Sequence, residues 1–280
     1  MSQARARPAA LTIAGRCFEW GRCSYVVGII NVSPDSFSGD GLRSTDEAVR
    51  QAVAFASQGA DVLDIGGEST RPGFSGISAD EEISRVIPAI ERISREVDVP
   101  LSVDTYKAAV AREALDAGAH LVNDIWGFRH DPEMATLCAQ RNVPAIIMHN
   151  QRGREFHDVV ADILAGWRES IAIATAAGIE RSHLIVDPGF GFGWEVEQNV
   201  EMLRRLRELT AAGLPILVGT SRKSTLGELT GREIDQRLSA SLASVAIAIA
   251  NGADLVRVHD VAATVDVCRV SDAIVRGDAS

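Results

Sequence analysis

Short apolar, β-branched runs alternate along the chain with longer helical stretches, and turn residues punctuate the joins. The runs fall at 25–31, 62–65, 101–105, 120–125, 144–148, 183–187, 215–220 and 254–259. Helices are expected at 46–57, 79–97, 106–117, 131–142, 158–177, 197–212 and 238–250, with a last one ending near Val275. Ser44 or Thr45 would cap the first helix and Ser78 the second, and Gly59 would end the first. Several helix-to-strand joins read Gly-Ala-Asp or Gly-Ala-His, at Gly59, Gly118 and Gly252. Strands buried on both faces and alternating with helices predict a (β/α)8 TIM barrel, with a doubly wound open sheet as the alternative. Ahead of it, Leu11 to Trp20, a turn at Gly21-Arg22 and the residues from Ser24 predict a hairpin capping one end. Nothing in the pattern marks a linker, so one barrel domain is expected over 1–280, with 1–9 as a flexible tail.

Composition sharpens this picture in a few places. A 46% hydrophobic content is enough for a large core. The net charge of −10 argues against non-specific nucleic-acid binding, yet leaves room for an anionic ligand held by a few local cations. Cys17, Cys23, Cys138 and Cys268 show no C-x-x-C spacing and read as reduced thiols. No apolar run has the length of a signal peptide or a membrane span. The expectation is a soluble, cytoplasmic protein with neither nucleic-acid nor membrane partners.

The candidate chemistry sits where strands stop. The stretch from Leu63 to Gly73 shows the form: a buried strand, two glycines, then Glu68, Ser69, Thr70 and Arg71. Comparable positions elsewhere carry Asn31, Asp104, Asn123, Met148-His149, Asp187, Lys223, Arg257 and His259. Ionisable groups at buried strand ends need partners, so so many of them are hard to explain as packing. Two chemistries separate. Asp104, Asn123, Asp187 and Lys223 can hydrogen-bond a flat heterocycle with amide-like edges. Asn31, Arg71, Arg257 and His259 suit a multiply charged phosphate and a metal.

The segments Ile29-Ile30-Asn31-Val32-Ser33-Pro34-Asp35-Ser36-Phe37-Ser38, Asp64-Ile65-Gly66-Gly67-Glu68-Ser69-Thr70-Arg71-Pro72-Gly73, Ser102-Val103-Asp104-Thr105, Val122-Asn123-Asp124, Asp187-Pro188-Gly189-Phe190-Gly191-Phe192, Ser221-Arg222-Lys223-Ser224 and Arg257-Val258-His259-Asp260 resemble the dihydropteroate synthase family. They come in the family's order and extend from Tyr25 to the last helix. The resemblance implies a transferase of folate biosynthesis, which joins a dihydropterin bearing a hydroxymethyl diphosphate to p-aminobenzoate and releases diphosphate. It implies that Asp104, Asn123, Asp187 and Lys223 hold the pterin. It assigns Asn31, Thr70, Arg71, Arg257 and His259 to the diphosphate, with Asn31 also on Mg²⁺. Phe37, Thr70, Arg71, Pro72, Phe192 and Ser224 would shape the p-aminobenzoate pocket, and Asp35, Asp104 and Lys223 would assist the chemistry. A homodimer is implied by the resemblance alone.

Two departures from the family pattern stand out. A small residue, Lys and Thr commonly follow the position of Phe192, whereas this chain has Gly193, Trp194 and Glu195. The loop after Met148-His149 is also short, and His149 reads as structural because no second ligand-type residue accompanies it at metal spacing. Two other functions compete with the transferase. One is a corrinoid-dependent methyltransferase domain sharing the pterin pocket, which has no use for diphosphate cations. The other is a pterin-binding paralogue without turnover.

Overall fold

The computed structural model describes residues 8–32, 44–69 and 76–277. It opens with an antiparallel pair, β1 (Leu11–Ile13) and β2 (Arg16–Phe18). Then come β3 (Tyr25–Asn31), α1 (Thr45–Ser57), β4 (Val62–Gly66), α2 (Ala79–Glu96), β5 (Leu101–Asp104), α3 (Ala108–Asp116), β6 (Leu121–Asp124) and α4 (Pro132–Arg141). The second half holds β7 (Ala145–Met148), α5 (Val159–Ala177), β8 (Leu184–Asp187), α6 (Val196–Leu209), β9 (Leu217–Val218), α7 (Ser224–Thr230), α8 (Leu238–Ala250), β10 (Leu255–Val258) and α9 (Val261–Val275). The parallel strands pair in the order β8-β7-β6-β5-β4-β3-β10-β9. A bridge between Val186 and Ile216 joins the two ends, giving the nearly closed barrel expected from the sequence.

Side-chain alternation along each strand explains both the core and the site. One set of residues, including Val26, Leu63, Val103, Val122, Ile147 and Val256, faces out and packs against the helices. The other set faces in, and its character changes with height. Near the amino-terminal ends it is apolar, with Val62, Leu121, Ile185 and Leu255 packed on Leu11, Ile13, Phe18 and Trp20 of the amino-terminal segment. Two residues further along, the same face becomes Asp64, Asn123, Asp187 and Arg257. The hairpin therefore plugs the mouth opposite the polar end. Phe18 and Tyr25 lie 4.7 Å apart between ring centroids, and Trp20 meets Tyr25 edge-on at 5.6 Å. Burying Phe18 alone contributes about 2 kcal/mol.

The helices start where their caps allow. Ser44 Oγ accepts from Glu47 N at 3.2 Å and Ser78 Oγ from Glu81 N at 3.1 Å. Each such cap contributes about 1 kcal/mol. The hairpin departs from expectation. Its tight turn is Ala14-Gly15, with φ of 49° and 78°, and β1 pairs with β2 as Leu11↔Phe18. Gly21-Arg22 instead forms the bend that feeds β3, closed by Arg22 N donating to Glu19 O at 3.2 Å. Strand β9 is shorter than the run at 215–220, and the short helix α7 was not expected at all. The cysteines are free thiols. No described helix is long and apolar enough to cross a membrane.

Candidate active site

The polar end of the barrel is organised from below by Asp64. This residue is fully buried in the middle of β4. Its Oδ2 accepts from Asn123 Nδ2 at 2.9 Å and from Arg257 Nε at 2.5 Å. Arg257 also donates through its second nitrogen to Asp104 Oδ2 at 2.6 Å. Burial would by itself lower the Arg257 pKa, but Asp64 and Asp104 outweigh it and hold the guanidinium firmly charged. Burial also raises the Asp104 carboxyl well above its usual range, against the pull of Arg257. The sequence reading placed Asp104 and Arg257 in different halves of the site, whereas here they are joined. Asp64 was passed over there, though a lone carboxylate in a buried strand is the signal that could have found it.

Across the barrel, Asp187 ends β8 and Lys223 precedes α7. Asp187 Oδ1 accepts from Gly189 N at 2.7 Å, while Trp167 Nε1 donates to the Asp187 carbonyl at 2.9 Å. Gly189 has φ of 76°, and a Cβ there would lie 1.9 Å from His149 O, so only glycine fits this turn. Burial raises the Asp187 carboxyl, with Lys223 and Gly189 opposing. Burial also pushes the Lys223 ammonium down to about 8, against the charge of Asp187. Lys223 donates to the Phe190 carbonyl, and its Nζ lies 4.7 Å from the Phe192 ring centroid. The residue before it, Arg222, has φ of 58°, a conformation unusual outside glycine. A two-pronged pair with Asp260, at 3.0 and 2.6 Å, holds it there.

His259 follows β10 and is buried. Ser221 Oγ accepts from His259 N at 3.3 Å and lies 3.0 Å from Nδ1. A hydroxyl placed this way can give its hydrogen to Nδ1, which leaves the ring hydrogen on Nε2 as a donor. Asn31, half-buried, ends β3 opposite Gly66. Ser224 is exposed as the first residue of α7 and Phe192 is half-buried after β8. The structure thus gathers Asn31, Asp104, Asn123, Asp187, Phe192, Lys223, Ser224, Arg257 and His259 at one end of the barrel. Asp35, Phe37, Thr70, Arg71 and Pro72 lie outside the described residues.

A second charged group flanks this end. Lys107 donates to Glu68 and, at 2.6 Å, to Glu82, which is 1% exposed. Tyr106 Oη donates to Glu68 Oε1 at 2.7 Å and Ile77 N donates to Glu68 Oε2 at 3.2 Å. Glu68 therefore ties the end of β4 to the approach to α2 and to the start of α3. From sequence alone Glu68 is only the first polar residue after two glycines.

Comparison with known proteins places the chain in a family. The family model described as pterin binding enzyme matches residues 27–259. A dihydropteroate synthase of Clostridium beijerinckii is 44% identical over 268 residues, covering 95% of this chain and 100% of its own. The chain belongs to the dihydropteroate synthase family. Among solved members of the dihydropteroate synthase family, one from Clostridium difficile in the presence of pteroic acid superposes with a TM-score of 0.88. It is 46% identical and covers 92% of this chain and 99% of its own. Another, from Xanthomonas albilineans with 4-aminobenzoic acid, has a TM-score of 0.89 and 44% identity, covering 95% of this chain and 98% of its own.

Against the dihydropteroate synthase pattern, the Trp194-Glu195 departure has a structural account. Trp194 is buried, with its ring 5.6 Å from His149 and edge-on to Phe156 at 6.3 Å. Glu195 takes the N-cap position of α6 and forms a capping box with Gln198. His149 is itself buried, and its Nε2 lies 2.8 Å from Gln151 Oε1. Burial lowers its pKa to about 4, so it is neutral near pH 7. Its partners are those of a packed residue.

Proposed function

We propose that this chain transfers the dihydropterin-methyl group from 6-hydroxymethyl-7,8-dihydropterin diphosphate to p-aminobenzoate, releasing diphosphate. The observation that carries the reading is the convergence of Asp104, Asn123, Asp187 and Lys223 around the carboxyl ends of the strands, above the buried Asp64. A carboxylate, an amide and an ammonium in that arrangement match the amide-like edge of a pterin ring. The solved relatives with pteroic acid and 4-aminobenzoic acid support the same pair of substrates.

In this reading the carbon–oxygen bond to diphosphate ionises first, and the arylamine nitrogen then attacks the exocyclic methylene. The arylamine is already neutral at pH 7, so no strong base is required; the ammonium formed on attack gives its proton to solvent. Positive charge develops on the dihydropterin, and the carboxylates of Asp104 and Asp187 favour it. Negative charge develops on the leaving diphosphate, which Arg257 and Arg71 would neutralise and to which His259 Nε2 would donate. Asp35 would assist from the segment after β3. Phe37, Thr70, Pro72, Phe192 and Ser224 would shape the amine pocket, and Thr70 would also reach the diphosphate.

Among the described residues no group of three or more His, Cys, Asp or Glu side chains could hold a metal. The Asn31 amide at the end of β3 offers one hard oxygen ligand, which fits Mg²⁺ bound otherwise through substrate phosphates and water. When bound there it would neutralise the departing diphosphate.

The proposal extends to a cytoplasmic, single-domain enzyme that acts as a homodimer. Ile247 and Ile274 lie 50% and 78% exposed on α8 and α9, which pack together, and this supports placing a second copy against those helices. The function is tested by following diphosphate release with Mg²⁺ and the dihydropterin diphosphate, with and without p-aminobenzoate. Release that requires the amine and yields dihydropteroate is expected. Tight pterin binding without release would favour a non-catalytic pterin binder.

A further inference from the structure

The loops that follow β7 and β8 are laced together beside Lys223. Gln151 N donates to the Phe192 carbonyl at 3.1 Å. Gly193, with φ of 82°, lies so close that a Cβ there would fall 2.5 Å from Arg152 N. This lacing lays the Arg152 guanidinium over the Phe192 ring, 4.9 Å from its centroid. The Lys223 ammonium lies 4.7 Å from the same centroid. One aromatic ring therefore carries two cations, and the exposed Ser224 follows the second of them in the chain.

Each cation is drawn to the ring's negative face, which fixes its position. Two like charges brought to one ring also repel, and the Arg152 charge is among the causes that depress Lys223. An anion arriving at this rim would relieve that repulsion. On a chain whose net charge is −10, two cations at one ring are a local concentration of positive charge, with Asp187 facing Lys223 from the pterin side. A guanidinium adds a planar fork that matches a carboxylate.

We propose that Arg152 is a specificity residue that selects the para-carboxylate of the arylamine substrate over uncharged arylamines. The inference rests on the reading of Phe192 and Ser224 as part of the amine pocket. Arg152 is half-buried, and an ion pair at such a rim contributes about 1 kcal/mol or less, which is about fivefold in affinity.

The test compares steady-state kinetics of wild type, Arg152→Gln, Arg152→Lys and Phe192→Ala. The amines are p-aminobenzoate and a neutral para-substituted aniline. Arg152→Gln should raise KM for p-aminobenzoate about fivefold. It should spare kcat and leave KM for the neutral aniline and for the dihydropterin diphosphate in place. Arg152→Lys should retain most of the affinity, and added salt should erase the difference between wild type and Arg152→Gln. An equal rise for both amines would make Arg152 only a support for Phe192, and no rise would remove it from recognition; either result overturns the inference. Phe192→Ala separates the two layers of the argument. If it raises KM for both amines while Arg152→Gln is silent, the inference about Arg152 alone fails. If it changes neither amine, the amine-pocket reading fails as well.

Discussion

Arg257 and Asp104 stand 153 residues apart in the chain and meet at 2.6 Å across the polar end of the barrel. The same guanidinium reaches Asp64, so one cation is shared by two carboxylates. A diphosphate that takes up Arg257 would therefore compete with Asp104, which couples the two halves of the site electrostatically.

Removing that cation should cost stability as well as affinity. In Arg257→Ala the fully buried Asp64 keeps only its bond from Asn123. Urea unfolding should show a loss of about 3–5 kcal/mol, because an uncompensated buried carboxylate is left behind. Adding Asp64→Asn to the same chain should recover much of it. A loss below about 1 kcal/mol would mean that Asp64 is neutralised by something other than Arg257.

Asp187→Asn keeps an oxygen that can accept from Gly189 N, so the turn after β8 should survive. The charge that faces Lys223 is gone, and pterin affinity measured by calorimetry should fall about 10- to 100-fold. Unchanged affinity would put the ring elsewhere.

The pH profile follows from Lys223 and Asp104. Activity that needs the Lys223 ammonium should decline as pH rises through about 8, far below an ordinary lysine at 10.5. Activity that needs the Asp104 carboxylate should be lost on the acid side at a pH above the ordinary carboxylate value of 3.8. Stability runs differently. Lys223, depressed in the folded state, contributes stability above pH 10.5 that is lost as pH falls through about 8. Asp104, raised, contributes stability below pH 3.8 that is lost as pH rises through its folded value. Lys223→Met should abolish the alkaline limb of kcat/KM, and a limb that persists would have to come from another group.

Metal dependence can be read through Asn31. Chelation should suppress diphosphate release, and Mg²⁺ should restore it. Asn31→Ala should raise the Mg²⁺ concentration needed for half-maximal rate by about tenfold, on the scale of losing a metal-supporting group. An unchanged Mg²⁺ requirement would exclude Asn31 as a ligand.

The barrel and its polar rim were legible because buried parallel strands read as apolar runs, and the residue at each run's end stands out. Asp104, Asn123, Asp187 and Arg257 were found that way. Partnership was not legible. Asp64 and Arg257 are 193 residues apart, and only the closed sheet brings them together. The hairpin turn was misplaced because Ala14 adopts a positive φ that its residue type does not announce, while Gly21 offered a stronger local signal. Helix α7 was missed because it is a single short element behind Lys223, with too few residues for periodicity to speak. Arg152 was overlooked since its contact with Phe192 depends on two loops lying side by side.

The aromatic plug of Phe18, Trp20 and Tyr25 also closes one end of the barrel. With the amino-terminal mouth filled, the proposed substrates and product would share the carboxyl ends of the strands. Asn123 and Asp187 are buried there, whereas Ser224 is exposed. The hairpin, remote from every residue assigned to the site, thereby makes the barrel one-ended: what enters at the strands' carboxyl ends must also leave there.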